Sequence, residues 1–440
     1  MAVLRLAVTE SPIWKKQRHQ TASMDIKAIL AARGTDPRLF LFLGLANWFI
    51  LADHIPHNVV NFLTIRNFGF SGAAEIFIFI VGYAMSITYG RIMLERGFIV
   101  GATRLFRRVQ HLYSAYIVLF VIYVVTITNV AAHYAAPDII TEFNVTGLID
   151  HPVRILIHGL FLESKPLNLD ILQLYIVLMA CFPLVLGILL VTPDLMLAAS
   201  VALYVAAGAF DWNLPSFPDG TWYFNPFCWQ LLFVLGGWIA LGGLEKCRAI
   251  LKWPTLLHLG IAYLAFALAM TMAGRFPEFG RMFPAWLLDA FTPNDKANLA
   301  PYRLLHFMVL AFVVTRFVPK DWPGLQWKIF RPVIKCGEEA LAAFCAGVFL
   351  SFVGHLALTM SSDSVPAQIL VSSVGIAIMT LIAYYISWSK RQDEPSEIRR
   401  RMTSTEAHEE PATSNSIAGP PLVGPQSQLG TCRAPDLIRL

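Results

Sequence analysis

Charge is what this sequence has least of. Asp, Glu, Lys and Arg make up only 14% of its 440 residues, while 56% are hydrophobic and the mean hydropathy is +0.58. Soluble domains carry about 25% charged residues, so a water-soluble globular class is excluded. Cysteine is scarce too. Cys181, Cys228, Cys247, Cys336, Cys345 and Cys432 contain no C-x-x-C pair, and most fall in or beside apolar runs. That argues against a zinc site or a disulfide framework and for small buried hydrophobes; no metal site is expected. A Gly-rich phosphate loop, a Walker motif and an internal repeat are all missing, which argues against a pump with its own ATPase. Residues 1–34 hold Arg5, Lys15, Lys16, Arg18, Lys27 and Arg33 but no apolar core of signal-peptide length. They are expected to form a cytoplasmic extension, either disordered or preceding a true start at Met24.

What is present is long apolar runs. They fall at 39–54, 73–90, 112–131, 171–191, 195–210, 226–244, 255–273, 303–318, 337–359 and 367–388, near the length of a helix that crosses a bilayer. None shows the alternation of a barrel strand, and lipid admits only helices or closed barrels. The expected fold is an all-α polytopic membrane protein, a single bundle of about ten spans over residues 35–389. The run RILIHGLFL, 154–162, is too short to span and reads as an amphipathic segment. Residues 390–440, rich in Ser, Thr, Pro, Glu and Arg, are expected to be a disordered cytoplasmic tail.

Charge orients the bundle. Arg91, Arg96, Arg104, Arg107 and Arg108 follow the second run. Lys246, Arg248 and Lys252 follow the sixth, and Arg316, Lys320, Lys328, Arg331 and Lys335 follow the eighth. The tail adds Lys390, Arg391, Arg399, Arg400 and Arg401. With ten spans these share one side with both termini. The longest opposite loop, 132–170, carries Asp138, Glu142, Asp150 and Glu163. The positive-inside rule places both termini in the cytoplasm. The net charge of +5 thus speaks to topology and not to nucleic acid.

The first run ends in ADHIPHN, residues 52–58. An anchor has no use for a carboxylate and two imidazoles at that edge, though an interfacial cap would look the same. His54 can exchange a proton near neutral pH. Asp53 is its neighbour, but i and i+1 point about 100° apart on a helix, so Asp53 can orient His54 only if the helix breaks near Pro56. His57 and Asn58 would share its face if it does not. Arg66 and Asn67 follow in the loop. Glu75 opens the second run, where the helix dipole and an inward-facing functional acid are both adequate readings. Asp53, His54, Arg66 and Glu75 lie within one hairpin and can form one outward pocket. Farther on, FNPFCWQLLFVLG (224–236) places Asn225, Trp229 and Gln230 at an outer helix start; Gln230 needs a partner, either another helix or a substrate. His306 and His355 sit near outer helix ends. On the inner side Arg104, Arg107 and Arg108 share one helical face, as a topology signal or as a phosphate site.

Several of these stretches resemble the OpgC family, whose members are bacterial inner-membrane proteins related to the membrane acyltransferases: residues 53–91, RLFRRVQHLY (104–113), LQLYIVLM (172–179), FNPFCWQLLFVLG and FCAGVFLSFVGH (344–355). The resemblance implies about ten spans. It also implies transfer of an acyl group, succinyl in the characterised case, from cytoplasmic acyl-CoA to a hydroxyl of an osmoregulated periplasmic glucan. No bound cofactor is implied; acyl-CoA is a donor substrate, and the partners are the bilayer and the glucan. His54 matches the family's first-helix histidine, the expected general base, with Asp53 and Glu75 as its acidic companions. Arg66, Asn67, Asn58, Asn225, Trp229, Gln230 and His355 are the expected acceptor-binding set, and Arg104, Arg107 and Arg108 the expected acyl-CoA phosphate site. The family's D-x-x-R-G pattern falls on Phe40 and Leu43 here, and its FSDAAE reads FSGAAE at Gly72. If the missing acid and arginine pair, losing both leaves no orphan charge. The alternative is a catalytically weakened relative that binds or transports glycan during export.

Overall fold

The computed structural model describes residues 26–34, 36–56, 58–133, 152–164, 168–217, 219–361 and 364–406. Most of the expected N-terminal extension, His57, the acids Asp138, Glu142 and Asp150 of the long loop, and tail residues 407–440 lie outside the described residues. Within them the chain is helical, and no named strand occurs. Each of the ten expected runs is a helix. They are α1 (Pro37–Asp53), α2 (Ala73–Arg96), α3 (Phe98–His133), then after the short α4 (Pro152–Leu160) α5 (Asp170–Val191), α6 (Pro193–Ala209), α7 (Pro226–Ala240), α8 (Pro254–Arg275), α9 (Pro301–Phe317) and, after α10 (Arg331–Glu338), α11 (Ala340–Met360) and α12 (Val365–Glu406). Six of them, α2, α3, α5, α8, α11 and α12, are long and apolar enough to cross a membrane, while α6 and α7 are shorter apolar helices.

Local chemistry sets the boundaries. Proline occupies the first turn of α1, α6, α7, α8 and α9, where its missing N–H costs nothing. The Asp36 carboxylate caps α1 by accepting from the Arg38 N–H at 3.1 Å. α12 runs on to Glu406, so residues 390–406 are helical where composition predicted disorder. Residues 26–32 are also helical, and Arg91 of α2 donates to the Leu30 carbonyl within that helix and to the Arg33 carbonyl just past its end.

The outside of the bundle is apolar. Val118, Val121 and Val125 on α3, Leu184 and Ile188 on α5, Leu259 on α8 and Leu370 and Leu381 on α12 are all exposed. In water this would be a large unfavourable surface; against lipid tails it is the expected one. The inside is close-packed where small residues allow backbones to meet. A methyl on Gly82 of α2 would overlap the Phe233 carbonyl of α7, and one on Gly236 would overlap the Phe79 carbonyl. Leu43 is 1% exposed in the main core, and Phe40 sets its backbone carbonyl against Gly337 of α10.

Candidate functional site

At one end of the bundle a cavity of about 680 Å³ opens between five chain segments. The last turn of α1 supplies Asp53 and His54. The 3₁₀ turns after it supply Arg66. Ala73 and Ala74 open α2, Asn168 and Asp170 open α5, and Arg303 opens α9. Tyr223, Phe224, Asn294 and Lys296 come from the loops before α7 and α9. The N-termini of α2, α5, α7 and α9 therefore face this end, and their dipoles add positive potential to it.

His54 ends α1 as its C-cap residue, its N–H bonded to the Ile50 carbonyl at 3.1 Å. Its Nδ1 is buried without a hydrogen-bond partner among the described residues. Asp53 does not orient the ring. Its Oδ1 accepts from the Thr64 hydroxyl at 2.6 Å and lies 3.7 Å from Arg66 Nε. Glu75 does not reach His54 either. It is fully buried, takes two N–H donors from Arg303 on Oε1, at 3.0 and 2.5 Å, and takes the Gly72 N–H on Oε2 at 2.9 Å. Glu75 thus both caps α2 across Gly72 and fixes Arg303 on the cavity wall. The two expected acidic companions act on the walls, and the imidazole faces the cavity without them.

Lys296, Asp170, Arg303, Asn168 and Tyr223 line the same cavity and did not stand out in the sequence. Lys296 is the central one. Its ammonium sits 4.9 Å from the Phe224 ring centroid and 5.7 Å from that of Tyr223. Desolvation pulls its pKa below the usual lysine value; Glu75, Asp170 and Asp53 oppose that shift, and Arg303 adds to it. The only hint was position, a lone lysine in a loop otherwise on the expected acidic side. Asn168, held at φ 72°, donates to the His54 carbonyl at 3.4 Å and joins the start of α5 to the end of α1.

The other expected acceptor-binding residues are elsewhere. Asn58 caps a 3₁₀ turn and donates to Ser372 at 2.6 Å. Asn67 accepts from Arg275 at 2.6 Å. Gln230 pairs with Ser200 of α6 at 2.6 Å, the helix-partner reading. Asn225 caps α7 and donates to Asn298, and the Trp229 indole donates to the Lys296 and Ala297 carbonyls, both at 3.1 Å. These two hold the loop that carries Lys296. His355 is buried in α11, and His306 is buried against Ser71 at 2.7 Å, so neither is interfacial. Of that set only Arg66 lines the cavity. The three arginines also separate: Arg104 and Arg107 are exposed, whereas Nε and Nη2 of Arg108 are buried. Among the described residues no three His, Cys, Asp or Glu side chains converge as metal ligands would.

The model of the OpgC protein family matches residues 35–391, most of the chain, and the protein belongs to that family. Membership implies a role in the modification of osmoregulated periplasmic glucans. No curated protein and no solved structure matches the chain.

Proposed function

We propose that this member of the OpgC family is an O-acyltransferase. It moves an acyl group, succinyl in the reading the family suggests, from cytoplasmic acyl-CoA to a hydroxyl of a periplasmic or exported glucan. It works in the bacterial inner membrane as a bundle of about ten spans, residues 35–389, with both termini in the cytoplasm. The observation that carries the reading is His54 opening, at the expected outer end of the bundle, onto a cavity that Lys296 also lines. A transporter would place such groups near the midplane at broken helices.

In the proposed reaction His54 Nε2 takes the proton of a glucan hydroxyl as its oxygen attacks the thioester carbonyl carbon. The carbonyl π electrons move to oxygen, and the oxyanion is stabilised by the Lys296 ammonium in a partly desolvated site. Collapse breaks the C–S bond, and the departing thiolate takes the proton back from His54. An ester and free CoA result. Arg66 and Tyr223, at the cavity wall, meet the sugar, and aromatic faces suit its C–H surface. Arg104 and Arg107, exposed on α3, meet the carrier's phosphates at the opposite end.

The test is mass spectrometry of periplasmic glucans from a deletion strain complemented with wild type or His54→Ala. Wild type is expected to restore an acyl substituent that the deletion removes, and His54→Ala is expected not to. Restoration by His54→Ala at normal protein levels removes His54 from the chemistry. No substituent in any strain defeats the enzyme reading for those glucans and favours glycan binding or export.

A further inference from the structure

Away from the cavity, two nitrogens of one guanidinium are buried without an acceptor among the described residues. Arg108 turns from α3 into the bundle, and neither its Nε nor its Nη2 finds an acceptor in good hydrogen-bond geometry among the described residues. The groups around it come from three other helices: Tyr89 of α2, Tyr175 of α5 and Cys345 of α11. Tyr175 is 2% exposed, and its hydroxyl lies close enough to the Arg108 guanidinium to interact with it, with no other partner among the described residues. A guanidinium offers only donors, and a phenol beside it can offer one more. Buried groups of this kind are ordinarily satisfied, and an ionisable side chain inside a membrane bundle marks a functional site by default. The complement of these converging donors is an anionic oxygen.

The location adds to this. The Phe77 ring meets Tyr175 edge-on at 5.8 Å and lies 5.2 Å from the Phe344 ring. Phe77 is one helical turn below Ala73 and Ala74, and Tyr175 is one turn below Ile171; all three of those upper residues line the His54 cavity. The Phe77, Tyr175 and Phe344 rings therefore form the layer beneath the cavity. Arg108 reaches that layer from the other side, about three turns into α3 from its start at Phe98.

We propose that Arg108 and Tyr175 form an anion subsite inside the bundle, which seats the anionic oxygen of a ligand entering from the end where α3 begins, directly beneath the His54 cavity. The ligand chemistry is a carboxylate or phosphate oxygen. Only the ligand's identity rests on the acyl-transfer reading. If the ligand is the acyl donor, the oxygen comes either from a carboxylate ending the acyl chain or from a phosphate of the carrier.

The experiment measures binding to the full-length protein in detergent for succinyl-CoA, butyryl-CoA, CoA, succinate and inorganic phosphate. The proteins are wild type, Arg108→Gln, Tyr175→Phe and the Arg104→Gln/Arg107→Gln double variant. A charge-assisted bond in a buried site corresponds to about tenfold or more in affinity. Arg108→Gln is expected to weaken binding by that factor and Tyr175→Phe by less. Loss confined to succinyl-CoA and succinate assigns the oxygen to the acyl carboxylate. Equal loss for CoA, butyryl-CoA and phosphate assigns it to the carrier. Identical affinities in wild type and Arg108→Gln for every probe overturn the proposal. The ligand-free melting temperature supplies a second reading. Arg108→Gln removes an unmatched buried charge and should melt at or above wild type; a large drop would show Arg108 bonded within the protein and would also overturn it. Arg108-dependent binding without acyl transfer by wild type sinks the acyl-transfer reading alone. Intact transfer with unchanged binding sinks this subsite alone.

Discussion

Substituting Arg303 should be among the most damaging single changes in the pocket, and the reason is visible in the pair it makes with Glu75. The two side chains are 5% and 0% exposed. Arg303→Met leaves the Glu75 carboxylate buried with a single remaining donor, the Gly72 N–H. Breaking one side of a buried pair costs about 3–5 kcal/mol, because the uncompensated charge stays behind. Removing both charges is different. Replacing a buried pair by apolar groups of similar volume is often neutral or stabilising, but here Glu75→Met also strips the Gly72 N–H of its acceptor, a loss of about 1–3 kcal/mol. The double variant Glu75→Met/Arg303→Met should therefore be more stable than Arg303→Met alone. Glu75→Gln, whose single amide oxygen keeps an acceptor for only one of Gly72 and Arg303, should still be milder than Glu75→Met, which keeps neither. The assay is equilibrium unfolding of the purified protein in mixed micelles, followed by tryptophan fluorescence, with the four proteins forming a double-mutant cycle. An Arg303→Met cost below about 1 kcal/mol, or a double variant no more stable than the worse single one, would refute the argument that this pair is desolvated and mutually dependent.

Two further expectations concern chemistry and packing. Lys296→Met should reduce acyl transfer well beyond any change in protein level, by about tenfold or more if it stabilises the oxyanion. Because burial lowers the Lys296 pKa, the charged form is lost as pH rises through that lowered value. The alkaline limb of the transfer rate should thus fall below the usual lysine range, and that limb should vanish in Lys296→Met; a wild-type limb at the ordinary lysine value counts against the role. Gly82→Ala or Gly236→Ala forces a methyl into a facing carbonyl between α2 and α7, and should lower the melting temperature more than an alanine at Gly208 of α6, which meets nothing within 4 Å.

The membrane-bundle character, the positions of the ten helices and the edge occupied by His54 were legible along the chain. A bilayer imposes its demand one segment at a time: enough consecutive apolar residues, turns marked by proline, charges between. The family could be read the same way, from ordered motifs. The placement of the polar residues could not. Glu75 pairs with Arg303 across 228 residues, and no local pattern carries a partner at that distance. Lys296 lies in a loop with no periodicity, and it reaches the cavity because Trp229 and Asn225, themselves read as substrate ligands, hold that loop by its carbonyls and side chains. Arg104, Arg107 and Arg108 share one face in the heptad arithmetic, yet only Arg108 is turned inward, because the helices packed on α3 decide which part of that face is inside. Asp53 stands next to His54 in sequence and bonds Thr64 instead, because the helix ends at that point and the following turn returns a hydroxyl to it. Composition alone settled what medium the chain lives in. Which of its few polar groups face one another was decided by tertiary packing, since in a low-dielectric interior every such group must find its partner wherever the fold supplies one.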